Sequence, residues 1–346
     1  MPNENKNQIN RLKYMGWIAG GIVVLLGMAL SASTFYQQAA SQRDRSTYVS
    51  ADHIIDMNGI EMHFRCEGEG SPTVVLESGA GTPYLNWWEI QADLVQDVRT
   101  CVYDRQGLGW SEYTGQIPTP TYVAQTLHTL LERAGESEPY VLVGHSMGGI
   151  YVREFAVRYP DEVVGMVLVD SSHEQQLARL PEAYVALAET EPTILALCRR
   201  LAPTGVLRIL NIGSQDPTFS EDTPVYHENI AMFNQSQFCA GVSTDLAGVH
   251  SLDTSAPPHS LGDLPLVVLS AGVLSSNNPD LTDVGLSTDA LQEVDRTWLA
   301  LQAELAALST NSKWTVVDGA THYIHFDQPQ VVIDAIRDVI GKVHGD

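Results

Sequence analysis

The chain has 346 residues, room for one catalytic domain plus a membrane segment, because a single α/β domain can reach about 250 residues. Hydrophobic residues make up 44% and charged residues 18%, which excludes a disordered chain and predicts a packed core. The 19 Lys+Arg against 42 Asp+Glu, net −23, repel phosphate backbones and exclude nucleic acid as a partner; the acidity reads as a solvated surface.

Tyr14 to Tyr36 carry no charge, and as a helix they extend about 35 Å, enough to cross a hydrocarbon core. Tyr14, Trp17, Phe35 and Tyr36 stand near the two ends, where amphipathic rings favour the headgroup layer. Residues 14–36 are therefore expected to be a transmembrane helix. Lys6, Arg11 and Lys13 lie ahead of it and only Arg43 and Arg45 closely behind, which predicts a cytoplasmic segment 1–13 and a catalytic part outside the cytoplasm. The alternative is a cleaved signal peptide and a secreted protein, with small-residue sites at Ala29-Leu30-Ser31 and Ser31-Ala32-Ser33; the length of the apolar run favours the anchor. Residues 37–51 are small and polar with no apolar period, and are read as a linker.

From Asp52 onward the pattern is that of a sheet. Asn58-Gly59 between two apolar runs predicts a hairpin. Short apolar runs at 73–76, 100–103, 140–143 and 163–169 then alternate with helical stretches, which predicts parallel strands with crossover helices. Val123, Leu127, Leu130, Leu131 and Ala134 repeat at helical spacing and mark a core stripe. After Asp170 the rhythm lapses, through seven prolines from Pro181 to Pro258, until Leu266-Val267-Val268-Leu269 resumes it. The reading is an α/β core over 52–171 and 262–346, interrupted by a mostly helical cap over 172–261. Four cysteines permit three pairings. Cys66 and Cys101 fall on strands of one sheet half, and Cys198 and Cys239 in the cap, so these two pairs are expected in an exported domain; buried free thiols are the alternative.

Gly144-His145-Ser146-Met147-Gly148 fits G-x-S-x-G between a strand and a helix. Such a turn presses the serine backbone against its neighbours two residues away, so both must be glycine. Ser146 is the candidate nucleophile, and the Met147 amide, at the positive end of the next helix, is a candidate oxyanion donor. A serine hydroxyl needs a base, and His322, in Gly319-Ala320-Thr321-His322 after the last predicted strand, is the candidate, with His325 as its local rival. The carboxylate that orients it is expected at Asp170, which ends the strand after the nucleophile helix; Asp280 and Asp283, in the loop after the next strand, remain alternatives. The second oxyanion donor is expected at the Ala80 amide in Glu77-Ser78-Gly79-Ala80-Gly81, with Gly81 as neighbour.

These segments, with Asp104-Arg105-Gln106-Gly107-Leu108-Gly109-Trp110-Ser111 and Asp327-Gln328-Pro329, make residues 52 to the end resemble the α/β-hydrolase fold superfamily. The resemblance implies a mostly parallel, twisted eight-stranded sheet flanked by helices, with a cap after the sixth strand. It gives Asp104–Ser111 a structural role. Asp170 matches the branch that places its acid after the sixth strand, whose dehalogenase-like and epoxide-hydrolase members use an aspartate nucleophile; a serine at 146 argues instead for acyl transfer. Ser78 departs from the histidine that many relatives carry before the oxyanion glycine. The expected activity is hydrolysis of carboxylic esters, with amides and lactones as further small-molecule substrates, through an acyl-enzyme, without a metal or organic cofactor and without an obligate protein partner. The competing readings are a membrane-tethered binding protein on this fold and a cofactor-free lyase or perhydrolase.

Overall fold

A computed structural model describes residues 2–189, 193–215, 218–255, 257–272, 275 and 286–345. They form two compact units: Val49–Ala196 with Ala240–Asp346, and Met1–Tyr48 with Leu197–Cys239.

The larger unit is built on strands β1 (Ile54–Asp56), β2 (Glu61–Glu67), β3 (Thr73–Glu77), β4 (Thr100–Tyr103), β5 (Tyr140–His145), β6 (Val163–Val169), β7 (Leu266–Ala271) and β8 (Ser312–Val317). They make one sheet of order β1-β2-β4-β3-β5-β6-β7-β8. The β1/β2 and β2/β4 pairs are antiparallel and every other pair is parallel. Asn58 and Gly59 both adopt positive φ, 63° and 90°, so the turn that their sequence predicts closes the opening hairpin. β3, β4, β5 and β7 are buried at every position, which explains why these strands read as continuous apolar runs without alternation. Cys66 and Cys101 sit opposite each other on β2 and β4 and are disulfide-bonded.

Helices α2 (Trp88–Leu94), α3 (Pro120–Ala134) and α4 (Met147–Arg158) connect the first half of the sheet. The ends of α3 are set by local chemistry: the Thr119 side chain accepts from the Tyr122 amide, Pro120 takes the first turn, and Gly135 closes the helix at φ 75°. Its stripe of Val123, Leu127, Leu130 and Leu131 is buried. Each of these side chains contributes about 1.5–3 kcal/mol by leaving water.

Between β6 and β7 the chain is helical, with α5 (Gln176–Arg179), α6 (Glu182–Glu189), α7 (Thr193–Leu201), α8 (Val206–Ile209), α9 (Tyr226–Phe233) and α10 (Phe238–Ala247). After β7 come α11 (Thr288–Ala306), α12 (Ile324–Asp327) and α13 (Pro329–His344).

The smaller unit joins α1 (Pro2–Tyr48) to the segment Leu197–Cys239, whose first turn and last residue are tied by the Cys198–Cys239 disulfide. α1 holds one run long and apolar enough to cross a membrane, and its side chains are exposed, Trp17 82% and Leu26 64%. The residues read from sequence as a linker, 37–51, are a correction: the helix continues to Tyr48. The reason is tertiary and polar. Gln37 is 1% exposed, its amide nitrogen donates to the Asn234 carbonyl at 2.5 Å, and the Arg208 guanidinium bonds its oxygen at 2.9 Å. Arg208 also pairs with Asp44 at 2.6 Å.

Candidate active site

β5 ends at His145, α4 begins at Met147, and Ser146 between them is held at φ 52°, ψ −123°, a backbone conformation that costs a non-glycine residue about 1–3 kcal/mol. The chain on either side leaves no room for side chains. A Cβ on Gly144 would stand 2.6 Å from the Gly149 Cα, and one on Gly148 would press into the Glu77 carbonyl oxygen. Two bonds fix the turn to the strand beside it: the Ser146 amide donates to the Val169 carbonyl at 3.2 Å, and the Ser172 amide to the Ser146 carbonyl at 2.9 Å. Met147 is the first residue of α4, so its amide has no acceptor within the helix and sits at the positive end of the helix dipole.

Asp170 follows β6, also at positive φ, 41°. Its Oδ2 is 2.6 Å from His322 Nδ1, while its Oδ1 accepts from the Ala271 amide at 2.9 Å and from Trp298 Nε1 at 3.0 Å. The Asp170 side chain is 3% exposed and that of His322 39%, so the buried carboxylate is held by three donors and the imidazole faces solvent. His322 lies on the loop after β8. The His145 Nε2–H donates to the His322 carbonyl at 3.0 Å, and the two rings lie 4.7 Å apart. His322 is thus fastened to the residue that precedes Ser146. The alternative acids, Asp280 and Asp283, lie outside the described residues.

His325, the local rival of His322, is 1% exposed and packs against Trp87 at 4.8 Å and His145 at 4.4 Å between ring centroids. Neither of its ring nitrogens has a hydrogen-bond partner among the described residues. Burial, with a smaller contribution from His322, pushes its pKa down to about 3, so it stays neutral in the core. Burial also holds His145 well below the ordinary range, with His325 and His322 adding to the effect. The unfolded chain binds a proton at 325 near pH 6.5 and the folded chain only near 3. The stabilisation from neutral His325 is therefore complete above pH 6.5 and is lost as pH falls toward 3. Urea midpoints measured across that window should fall with pH, and His325→Phe should flatten the fall by about 3–5 kcal/mol. An unchanged slope would mean that His325 titrates normally.

The loop after β3 is shaped by Arg105, whose partners sequence reasoning missed. Its guanidinium donates to Glu77 Oε1 at 2.5 Å, to the Ser78 and Gly79 carbonyls at 2.7 Å each, and to both oxygens of Asp245 at 3.0 and 2.7 Å. Asp245 in turn accepts from the Gly81 amide at 2.6 Å. Burial alone would lower the Arg105 pKa, but Asp245 and Glu77 outweigh it and keep the guanidinium charged. With Gly81 engaged, Ala80 is left at the crest of the loop, packed against the cluster of Val123, Met147, Ile150 and Tyr151. Asp104 is structural in the same way: it accepts from the Tyr84 and Trp110 amides at 2.8 and 3.1 Å and contacts His63 Nδ1 at 2.9 Å. Arg105→Met, which strands two buried carboxylates, should cost about 3–5 kcal/mol in chemical denaturation. A loss under 1 kcal/mol would show that the network is not coupled to folding.

A family profile described as "Alpha/beta hydrolase family" matches residues 74–335. The chain belongs to this family. Among curated relatives, the hydrolase is 27% identical over 278 residues to an uncharacterized protein of Schizosaccharomyces pombe, covering 78% of this chain and 46% of that one. It therefore spans about half the length of that relative. Among solved structures it resembles a thermophilic esterase from Thermogutta terrifontis, with TM-score 0.53 and 23% identity over 84% of this chain and 98% of that one. It also resembles the enol-lactonase from Burkholderia xenovorans LB400, with TM-score 0.57 and 19% identity over 83% and 99%. At these identities the structural likenesses carry the fold alone, and the family match carries membership of the alpha/beta hydrolase family.

Proposed function

We propose that this hydrolase is a serine esterase that cleaves carboxylic esters, with amides and lactones within the same chemistry, through an acyl-enzyme. The observation that carries the reading is the buried Asp170 carboxylate 2.6 Å from His322 Nδ1, on a loop bonded to the residue next to the strained Ser146. In the reaction, the Ser146 Oγ attacks the ester carbonyl while His322 Nε2 takes its proton. Asp170 holds the Nδ1–H tautomer and stabilises the imidazolium. The Met147 and Ala80 amides donate to the tetrahedral oxyanion. The C–O bond then breaks as His322 returns the proton to the leaving alcohol, and water, deprotonated by the same imidazole, releases the acid.

The anchor belongs to this proposal. Residues 14–36 span the bilayer, residues 1–13 remain cytoplasmic, and the catalytic unit lies outside the cytoplasm. Lys6, Arg11 and Lys13 ahead of the span support that orientation, and two disulfides are in keeping with an oxidising compartment. A fluorophosphonate applied to the full-length protein should modify Ser146 and no other serine. An unmodified Ser146 in folded protein would favour a binding protein on the same fold.

A further inference from the structure

The smaller unit exposes an apolar surface beyond its membrane segment. Leu197 is 53% exposed, Ile209 60%, Leu210 63% and Ile212 47%. Among the described residues of the larger unit, the only large apolar side chain so exposed is Ile194 at 78%, one turn ahead of Leu197 on the same helix. Four large apolar side chains left about half in water within 16 residues forfeit burial that a partner would restore.

The position of the patch along α1 says which partner. Counting 1.5 Å per residue from Tyr14, the helix has risen about 29 Å at Ser33, the thickness of a hydrocarbon core. Ser33 Oγ donates to the Thr204 carbonyl at 2.6 Å. Gly205 lies so close that a Cβ there would stand 2.7 Å from the Ser33 carbonyl oxygen. One turn further, about 6 Å, Gln37 accepts from Arg208. Residues 204–208 are therefore fastened at the depth of the headgroups, and Ile209, Leu210 and Ile212 follow directly. Charge agrees. Residues 14–48 and 197–239 together hold five basic and five acidic side chains, whereas the larger unit carries the acidic excess. This surface meets anionic headgroups without the repulsion that the rest of the protein would feel.

We propose that the segment 197–212 is seated in the outer headgroup layer of the bilayer that α1 crosses, with Leu197, Ile209, Leu210 and Ile212 buried at the acyl boundary. The inference rests on the membrane-anchor reading of residues 14–36. α1 and this segment then form a single membrane-bound body, locked by Gln37, Arg208 and Asp44.

The test uses full-length protein in nanodiscs of phosphatidylcholine and phosphatidylglycerol. Single cysteines are introduced as Leu210→Cys and Trp17→Cys, since the four native cysteines are paired, and each is labelled with an environment-sensitive fluorophore. Lipids brominated near the headgroup should quench the label at 210 about five-fold relative to unbrominated lipids, while mid-chain bromines quench the label at 17. Quenching at 17 without quenching at 210 overturns the inference and leaves the anchor intact. Quenching at neither position overturns the anchor itself and the inference with it. Native circular-dichroism spectra and melting temperatures of both labelled variants show that each is folded.

Discussion

Ser146→Ala should lower kcat on an activated ester by about 10⁴- to 10⁶-fold while leaving the melting temperature at or above that of the native protein. The loss is this large because in the proposed mechanism the residue supplies the bond-forming atom, whereas what would remain, oxyanion donors and binding alone, gives only a small residual rate. The effect should fall on kcat, since the hydroxyl contributes little to holding the ground state. A panel of esters graded by acyl length, assayed on the full-length protein in detergent, gives the native rate to compare against and names the preferred acyl class. Native turnover by the alanine variant would remove the acyl-enzyme from the mechanism and reopen the lyase and perhydrolase readings.

The second large effect is expected at Asp170→Asn, about 10⁴-fold in kcat with KM nearly unchanged. The Ala271 amide and the Trp298 indole both donate to Oδ1, so an asparagine will keep its carbonyl oxygen there and turn its NH2 toward His322. That group donates where an acceptor is needed, and the imidazole is driven into the tautomer that cannot accept the serine proton at Nε2. Structure and stability should survive, which separates this variant from one that merely unfolds. The parallel variants Asp280→Asn and Asp283→Asn should each retain activity within a few-fold of native. Were either to cause the large loss while Asp170→Asn did not, the orienting acid would lie later in the sequence, at 280 or 283.

Much of this architecture is readable from the chain because its signals are local. Strands buried on both faces leave unbroken apolar runs such as Val141-Leu142-Val143, α3 carries its own cap and stop residues, and the Asn58-Gly59 turn needs only two residues to declare itself. The glycines at 144 and 148 are equally legible, since the backbone approaches them from within a few residues. What could not be read depends on distant partners. Residues 37–48 contain no glycine or proline to break a helix, yet they show no apolar period, because the contacts that bury Gln37 and pair Asp44 are polar and come from Arg208 and Asn234. Periodicity detects only apolar faces. The role of Arg105 depends on Asp245, 140 residues away, and that of His145 on the His322 carbonyl, 177 away. The motifs around Arg105 and His145 mark the two residues but not these partners.

The conformation of Ser146 has a consequence for how the protein can change over time. At φ 52° and ψ −123° a glycine would rest more comfortably than the serine does. A chain that gave up the whole hydroxymethyl group for hydrogen at this one position would tolerate heat better and lose the proposed nucleophile. Under the proposed mechanism durability and reactivity are opposed at this site, and selection for robustness alone would erode the activity.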